Sequence, residues 1–495
     1  MTEIITRPSA SGSDASRSGT AATASAATAA ASAATAQSDT GRPALARSLG
    51  LVGAVLLTLS CLTPASSLFV IVPGLFATQG TGTALTLAVA GVLCVGVAFC
   101  YSELGTLIPS AGGEYAMVGS LMGRVSGWLT FFLSSVAAFI IPPIIAIGTG
   151  EYLHAAIPAL PVNGPVAGAV VMAASTVMGV FDLRANAWIT GVFLVLEVVA
   201  AGVVAFLGFT HTRQPVSALV HPVVSDGQHT SALPFGTIMV GLAVALFALQ
   251  GFTTAVYLAE EIQEPRRNVS RAVLWTLGLG AAVVIVPTVA ITLGAQGPGA
   301  LTEENFDLIG MVKGWSDSAV GAFVALCIAA AIVNAAIVMV IQNSRILFAS
   351  ARDRAWPEPV NKALGTVSRR FGAPWVATLA VGAPGTALCF APVDTLNGVT
   401  GIAVTGLYLI VAVAALRARR GGHRGKSAWR MPLWPLVPAL VVAGLAGVLF
   451  ELWRTQPSDL YWTLGGTAAA ALYWVFYLRP RGGTRWVIDA DPGQH

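Results

Sequence analysis

Charge is what this sequence has least of. Its 495 residues include 27 basic and 23 acidic side chains, 10% of the chain against 55% hydrophobic residues, and the mean hydropathy is +0.75. A soluble domain carries about 25% charged residues. Too little polar surface exists here to cover a soluble particle of this size, which excludes a soluble enzyme and a nucleic-acid binder. Cysteine is also scarce. The five present (Cys61, Cys94, Cys100, Cys327 and Cys389) all fall inside apolar runs, so they read as small core residues and not as a disulfide framework. The six histidines are scattered: His154, His211, His221, His229 and His423 in loops and His495 at the end. No metal ion or cofactor is implied. Short alternating segments of about ten residues, the mark of a membrane barrel, are missing too. What remains is an all-α integral membrane protein.

The apolar runs are the dominant feature. Twelve can be counted, near 50–77, 84–107, 126–149, 163–181, 187–209, 235–259, 272–295, 317–349, 373–391, 396–417, 432–454 and 460–478. Most reach the roughly 20 residues that a helix needs to cross a bilayer. The run 317–349 is too long for one straight span, and its C-terminal part is expected to leave the membrane. Residues 1–44 are a tail of Ala, Ser, Thr and Gly, which cannot bury enough surface to fold and reads as disordered and cytoplasmic. The core, 45–417, carries spans one to ten; 418–479 holds a loop and spans eleven and twelve; 480–495 is a second cytoplasmic tail. Lys and Arg set the orientation. With both termini inside, the inner segments carry groups such as Arg266, Arg267 and Arg271, or Arg417, Arg419 and Arg420, while the outer loops hold only Arg213, Lys313 and Arg454. The reading is a multi-pass protein of the plasma membrane. Asn268-Val269-Ser270 matches a glycosylation pattern but lies on the inner side.

Two spans are interrupted. The first contains Thr63-Pro64-Ala65-Ser66-Ser67, and the sixth contains Gln250-Gly251. Pro64 removes a backbone donor and clashes with the preceding turn. Each is the first span of a five-span set, and interruptions at matching positions of two halves point to a transporter site at an inverted-repeat interface. Unwinding a helix in mid-membrane frees N–H and C=O groups, which is tolerable only where they line a cavity. Freed N–H groups attract a carboxylate and freed C=O groups an ammonium, so together they read an α-amino acid. The alternative is that Pro and Gly merely kink these helices, as expected for Pro142-Pro143 in span three.

Three stretches carry a family resemblance. Tyr101 to Tyr115 reads YSELGTLIPSAGGEY, Phe247 to Val269 reads FALQGFTTAVYLAEEIQEPRRNV, and Asn343 to Pro357 reads NSRILFASARDRAWP, followed by RFGAPW at Arg370 to Trp375. Over about residues 45–480 the chain resembles the amino acid/polyamine/organocation permeases. The resemblance implies a fold of twelve transmembrane helices, a five-plus-five inverted repeat with broken helices one and six, plus two C-terminal helices. It implies secondary transport of amino acids or related amines. By position, Thr63, Ala65, Ser66 and Ser67 match the break that holds the substrate carboxylate. Phe247 matches an aromatic that covers the substrate, and Phe247, Ala248, Leu249, Gln250 and Gly251 match the second break. Phe247 as a core or lipid-facing residue stays open. The chain departs from the family pattern at Thr253, Ser270 and Arg354, and in lacking a Gly-rich first break.

Glu197 is the remaining signal. It falls near the middle of span five, where a charge costs roughly 2.5–3.5 kcal/mol on insertion scales. It reads either as a coupling group or as a neutral carboxyl tying two helices together. The inner-face charges Glu103, Glu114, Glu260, Glu261, Arg266, Arg267, Arg352 and Asp353 either solvate helix ends or close an inner gate. The leading expectation is a proton-coupled amino-acid importer or exchanger, with sodium coupling left open. An importer of amines, polyamines or ethanolamine is the nearest competitor; a polyamine should recruit several buried acids, and only Glu197 looks deep. A membrane enzyme would need interfacial His/Asp/Glu clusters that the sequence does not show. The expected partners are a small-molecule substrate and the lipid bilayer, with no nucleic acid; the sequence leaves the oligomeric state open.

Overall fold

The computed structural model describes residues 49–487, apart from 111, 161, 182–186, 226–228, 303–305, 369–372 and 421–426. The expected tail 1–44 and the residues after Val487 lie outside that set. Among the described residues the regular structure is helical, apart from one hairpin that pairs Val223–Ser225 with Thr230–Ala232.

The helices follow the apolar runs. They are α1 (Leu51–Leu62), α2 (Val72–Gln79), α3 (Gly82–Leu107), α4 (Gly113–Met122), α5 (Arg124–Ala156), α6 (Gly164–Val180) and α7 (Ala187–Thr210). Then come α8 (Phe235–Ala248), the short α9 (Thr254–Tyr257), α10 (Pro265–Gly294), α11 (Leu308–Trp315) and α12 (Ser318–Arg352). The chain ends with α13 (Glu358–Leu364), α14 (Trp375–Leu388), α15 (Val393–Ala418), α16 (Leu436–Thr455) and α17 (Pro457–Tyr473). Eight segments are long and apolar enough to cross a membrane, counting Leu51–Gln79 as one; α6, α8 and α14 are shorter apolar helices. The last apolar run starts with α17 and continues as a π-helical turn at Trp474–Leu478. The expected long run is a single helix, α12, of 35 residues. At 1.5 Å per residue it is about 50 Å long, well beyond a hydrocarbon core of about 30 Å. Pro142 and Pro143 sit inside the continuous α5, so they interrupt nothing.

Helix starts have visible causes. Pro265 and Pro457 occupy the first helical turn, where the missing N–H costs nothing. Asp317 caps α12 by accepting from Val320 N–H at 2.8 Å. The core is one large apolar cluster drawn from α1 to α3, α5, α8, α10, α12, α15 and α16. A second cluster, rich in aromatics, lies where α4, the start of α5, the end of α12 and the chain end meet.

The two expected interruptions differ in kind. In the first span only Thr63 leaves the helix; Pro64–Ser66 resumes it at once and Ser67–Ile71 is a π-helical turn. The expected unwinding of Thr63 to Ser67 is thus corrected to a single residue. Proline disfavours the α region for the residue before it, and Thr63 escapes to the left-handed region at φ +47°. In the sixth span Phe247 and Ala248 are still helical, and the chain leaves the helix from Leu249 to Thr253. The second break is therefore shifted two residues beyond the expected Phe247–Gly251.

Candidate functional site

The two breaks pack against each other. Gly251 has φ +127°, and a Cβ placed there would lie 2.8 Å from Leu62 Cβ and 2.9 Å from Leu62 N. Only glycine fits so close a backbone approach in that conformation. The segments leading from the breaks are joined again at their far ends. Leu49 N donates to Glu261 O at 3.0 Å, and Gln263 N donates to Leu49 O at 2.8 Å. So α1 and the segment 251–262 form a pair tied at both ends.

A small, open cavity lies beside this pair. Cys61, Gln250, Gly251, Thr253, Thr254 and Tyr257 line it from the pair. The facing wall is Ser134, Ala137, Ala138 and Ile141 of α5 with Met339, Gln342, Asn343 and Ile346 of α12; Glu114 and Leu407 complete it. Several polar contacts cross from pair to wall, Tyr257 to Ser134 at 3.5 Å among them. Tyr257 donates to Glu114 Oε2 at 3.1 Å, Gln342 Nε2 donates to Thr254 Oγ1 at 3.1 Å, and Arg345 stands 3.6 Å from Glu261.

Glu114 is the unexpected member. The sequence places it among inner-face charges, yet it is 2% exposed. Tyr101 donates to its Oε1 at 2.8 Å and Ser134 to its Oε2 at 2.6 Å. Gly113, at φ +53°, turns the chain so that Glu114 points inward; a Cβ at Gly113 would meet the Tyr257 ring, 2.6 Å from Cε1. Of the other inner-face charges, Glu103 receives a bidentate pair from Arg419 at 2.6 and 2.7 Å and the Met431 N–H at 2.9 Å. Asp353 accepts from Tyr115 at 2.9 Å. Here these charges join separate elements.

The first break makes a smaller polar site behind the pair. Resuming a helix at Pro64 leaves its first N–H groups without carbonyl partners from a preceding turn. The Ala65 backbone lies beside the Glu197 carboxyl. Glu197 is 1% exposed. Its Oε2, with Thr63 Oγ1 and Ser66 Oγ, has no hydrogen-bond partner among the described residues. Buried polar atoms are nearly always paired, and three of the unpaired ones stand around this one break.

The predicted residues therefore divide. Gln250 and Gly251 line the cavity. Thr63, Ala65, Ser66 and Ser67 are buried at the break that meets Glu197. Phe247, Ala248 and Leu249 sit in the main apolar core and not on the cavity. Tyr101, Ser134, Tyr257, Gln342 and Asn343 were not anticipated. Tyr101 and Asn343 at least stand at the edges of the family-like stretches; Ser134 and Gln342 carry no sequence signal inside long apolar helices.

Paired helix breaks beside a polar-lined cavity in a bundle of long apolar helices define a helical membrane permease, a transporter and not an enzyme. The family model for amino acid permeases matches residues 49–476. The chain belongs to that family, within the amino acid/polyamine/organocation permeases. It is similar to the branched-chain amino acid permease BcaP of Bacillus subtilis, 23% identical over 88% of this chain and 94% of that protein. The branched-chain amino acid permease BcaP of Lactococcus lactis is 26% identical over 82% of this chain and 89% of its own length. The methylthioribose transporter of Bacillus subtilis is 24% identical over 87% and 94%.

Proposed function

We propose that this permease imports or exchanges an amino acid across the plasma membrane, coupled to protons through Glu197. The observation that carries the reading is the first break, where the buried Glu197 carboxyl, with one unpaired oxygen, lies beside the Ala65 backbone. A carboxyl there binds a proton as a neutral acid. Once ionised it is held by the freed N–H groups at the start of a helix. A substrate carboxylate competes for the same N–H groups, so binding substrate and binding a proton favour each other. That mutual dependence is what coupling requires.

In this reading the twelve apolar runs are twelve spans, ten of them in the five-plus-five repeat, with both termini in the cytoplasm. The cavity lies on the Leu49 side of the breaks, so it faces inward. Tyr257–Glu114 and Thr254–Gln342 already hold the α1 and 251–262 pair against α5 and α12, and in this reading the pair must release them to swing. Branched-chain amino acids fit the apolar part of the wall, at Ile141, Met339 and Leu407. A second reading, an amine or polyamine as substrate, is favoured by one observation: Glu114 is a buried acid on the cavity itself.

Reconstituted vesicles with an imposed pH gradient test the proposal. The parent should accumulate an amino acid uphill when the outside is acidic. Glu197→Gln, which mimics the protonated acid without titrating, should keep exchange and lose pH-driven accumulation. Uphill uptake by the Gln variant with unchanged pH dependence would leave Glu197 a helix tie. Uptake of amines and not of amino acids would select the second reading.

A further inference from the structure

The last described residues do not trail away from the bundle. Residues 482–487 fold back onto it, and Trp486 is fully buried. Its ring lies 5.2 Å from those of Tyr115 and Trp128 and 5.6 Å from that of Phe131. Trp486 adopts φ +50°, a left-handed conformation that bulky residues take only where their surroundings hold them there. Arg124 supplies the hold. Its guanidinium donates to the carbonyls of Gly482, Arg485 and Trp486, and Trp486 Nε1 donates back to the Arg124 carbonyl at 3.2 Å. Val487 N donates to Asp353 O at 3.0 Å, fastening the strap to the end of α12.

The three elements gripped in this way are the ones that build the cavity wall. Tyr115 is next to Glu114. Trp128 and Phe131 lie one to two turns before Ser134 on α5, and Asp353 follows the α12 stretch that carries Gln342 and Ile346. On the other side of the cavity, the pair from α1 and 251–262 makes none of these contacts.

We infer that Trp486 and Arg124 are positioning residues of the transport site, bracing α4, α5 and α12 into one rigid wall against which the broken helices move. This rests on the cavity being the transport path. The strap touches no substrate. It sets the geometry at which Glu114 and Gln342 meet Tyr257 and Thr254.

Cys61 lines the cavity, whereas Cys94 is fully buried in the core away from it. The full-length protein in lipid vesicles is treated with N-ethylmaleimide, and the adducts are located by mass spectrometry. In Trp486→Ala, Cys61 should react about fivefold faster than in the parent, with Cys94 unchanged, because local opening of one wall leaves the rest of the core closed. Trp486→Phe keeps a ring and should stay within about twofold of the parent. Should Trp486→Ala fail to insert, Arg124→Lys carries the test. It loses the fork of carbonyl contacts but keeps the ring, and the same acceleration at Cys61 is expected. An unchanged Cys61 rate overturns the inference, and so does a rise at Cys61 and Cys94 together, which marks general loosening. Labelling needs no substrate. A parent that labels as expected but accumulates no amino acid would instead count against the transport reading.

Discussion

Gly251→Ala tests whether the two helix breaks must touch. The added methyl group meets Leu62 Cβ at 2.8 Å and Leu62 N at 2.9 Å, nearly 1 Å inside ordinary carbon contact of about 3.5–4.0 Å. Backbone atoms of a helix cannot swing aside as a flexible side chain can. Overpacking of this kind costs about 1–3 kcal/mol. Holding an L-residue in the φ +127° conformation adds about 1–3 kcal/mol. The sum, about 2–6 kcal/mol, is a large fraction of the roughly 5–15 kcal/mol that holds a typical domain folded. The protein can relieve it only by separating Leu62 from Gly251, which splits the α1 and 251–262 pair at the level of the site. Thermal unfolding of the purified protein in detergent, with and without substrate, reads both effects. The Ala variant should melt several degrees lower, and saturating substrate should no longer raise its melting point as it does for the parent. Parent-like melting and parent-like protection by substrate would refute the close packing of the breaks.

Two other changes probe separate parts of the molecule. Ser66→Phe puts a large ring into a fully buried position beside the Glu197 contact. It should abolish substrate binding by isothermal titration while the protein still inserts, and unchanged affinity would remove the first break from the site. Arg419→Ala strips the cation from Glu103, whose side chain is 3% exposed; breaking such a pair costs about 3–5 kcal/mol, so the midpoint of thermal or denaturant unfolding should fall. Glu103→Gln in the same background should restore part of it, because the stranded charge is then gone.

The helices were legible because a bilayer imposes long apolar runs; each run contains a helix, and among the described residues eight segments are long and apolar enough to cross a membrane. The breaks were legible in place but not in form. Pro64 announced a disturbance, yet proline is at home in the first turn of a helix, so the helix restarts there and only Thr63 is displaced. In the sixth span Phe247 and Ala248 remain helical since nothing before Gly251 forces them out. The cavity wall was hidden for a different reason. Ser134 and Gln342 lie in uniformly apolar helices, and which face of such a helix meets a cavity depends on packing between distant segments. Glu114 follows a span end by only a few residues and reads as a solvated charge. What turns it inward is the left-handed Gly113 beneath the Tyr257 ring, a contact between residues far apart in sequence.

The grip of Arg419 on Glu103 spans 316 residues of sequence, which places a demand on the making of the protein. Chains grow at about 5–20 residues per second, so the second span reaches the membrane roughly 15–60 seconds before the arginine that neutralises its acid exists. During that interval Glu103 has to be kept wet or protonated by the insertion machinery. Its position in the last two turns of α3, close to where a helix leaves the lipid, lets it wait at the headgroup level. The same acid a few turns deeper would add roughly 2.5–3.5 kcal/mol to integration before its counterion could arrive.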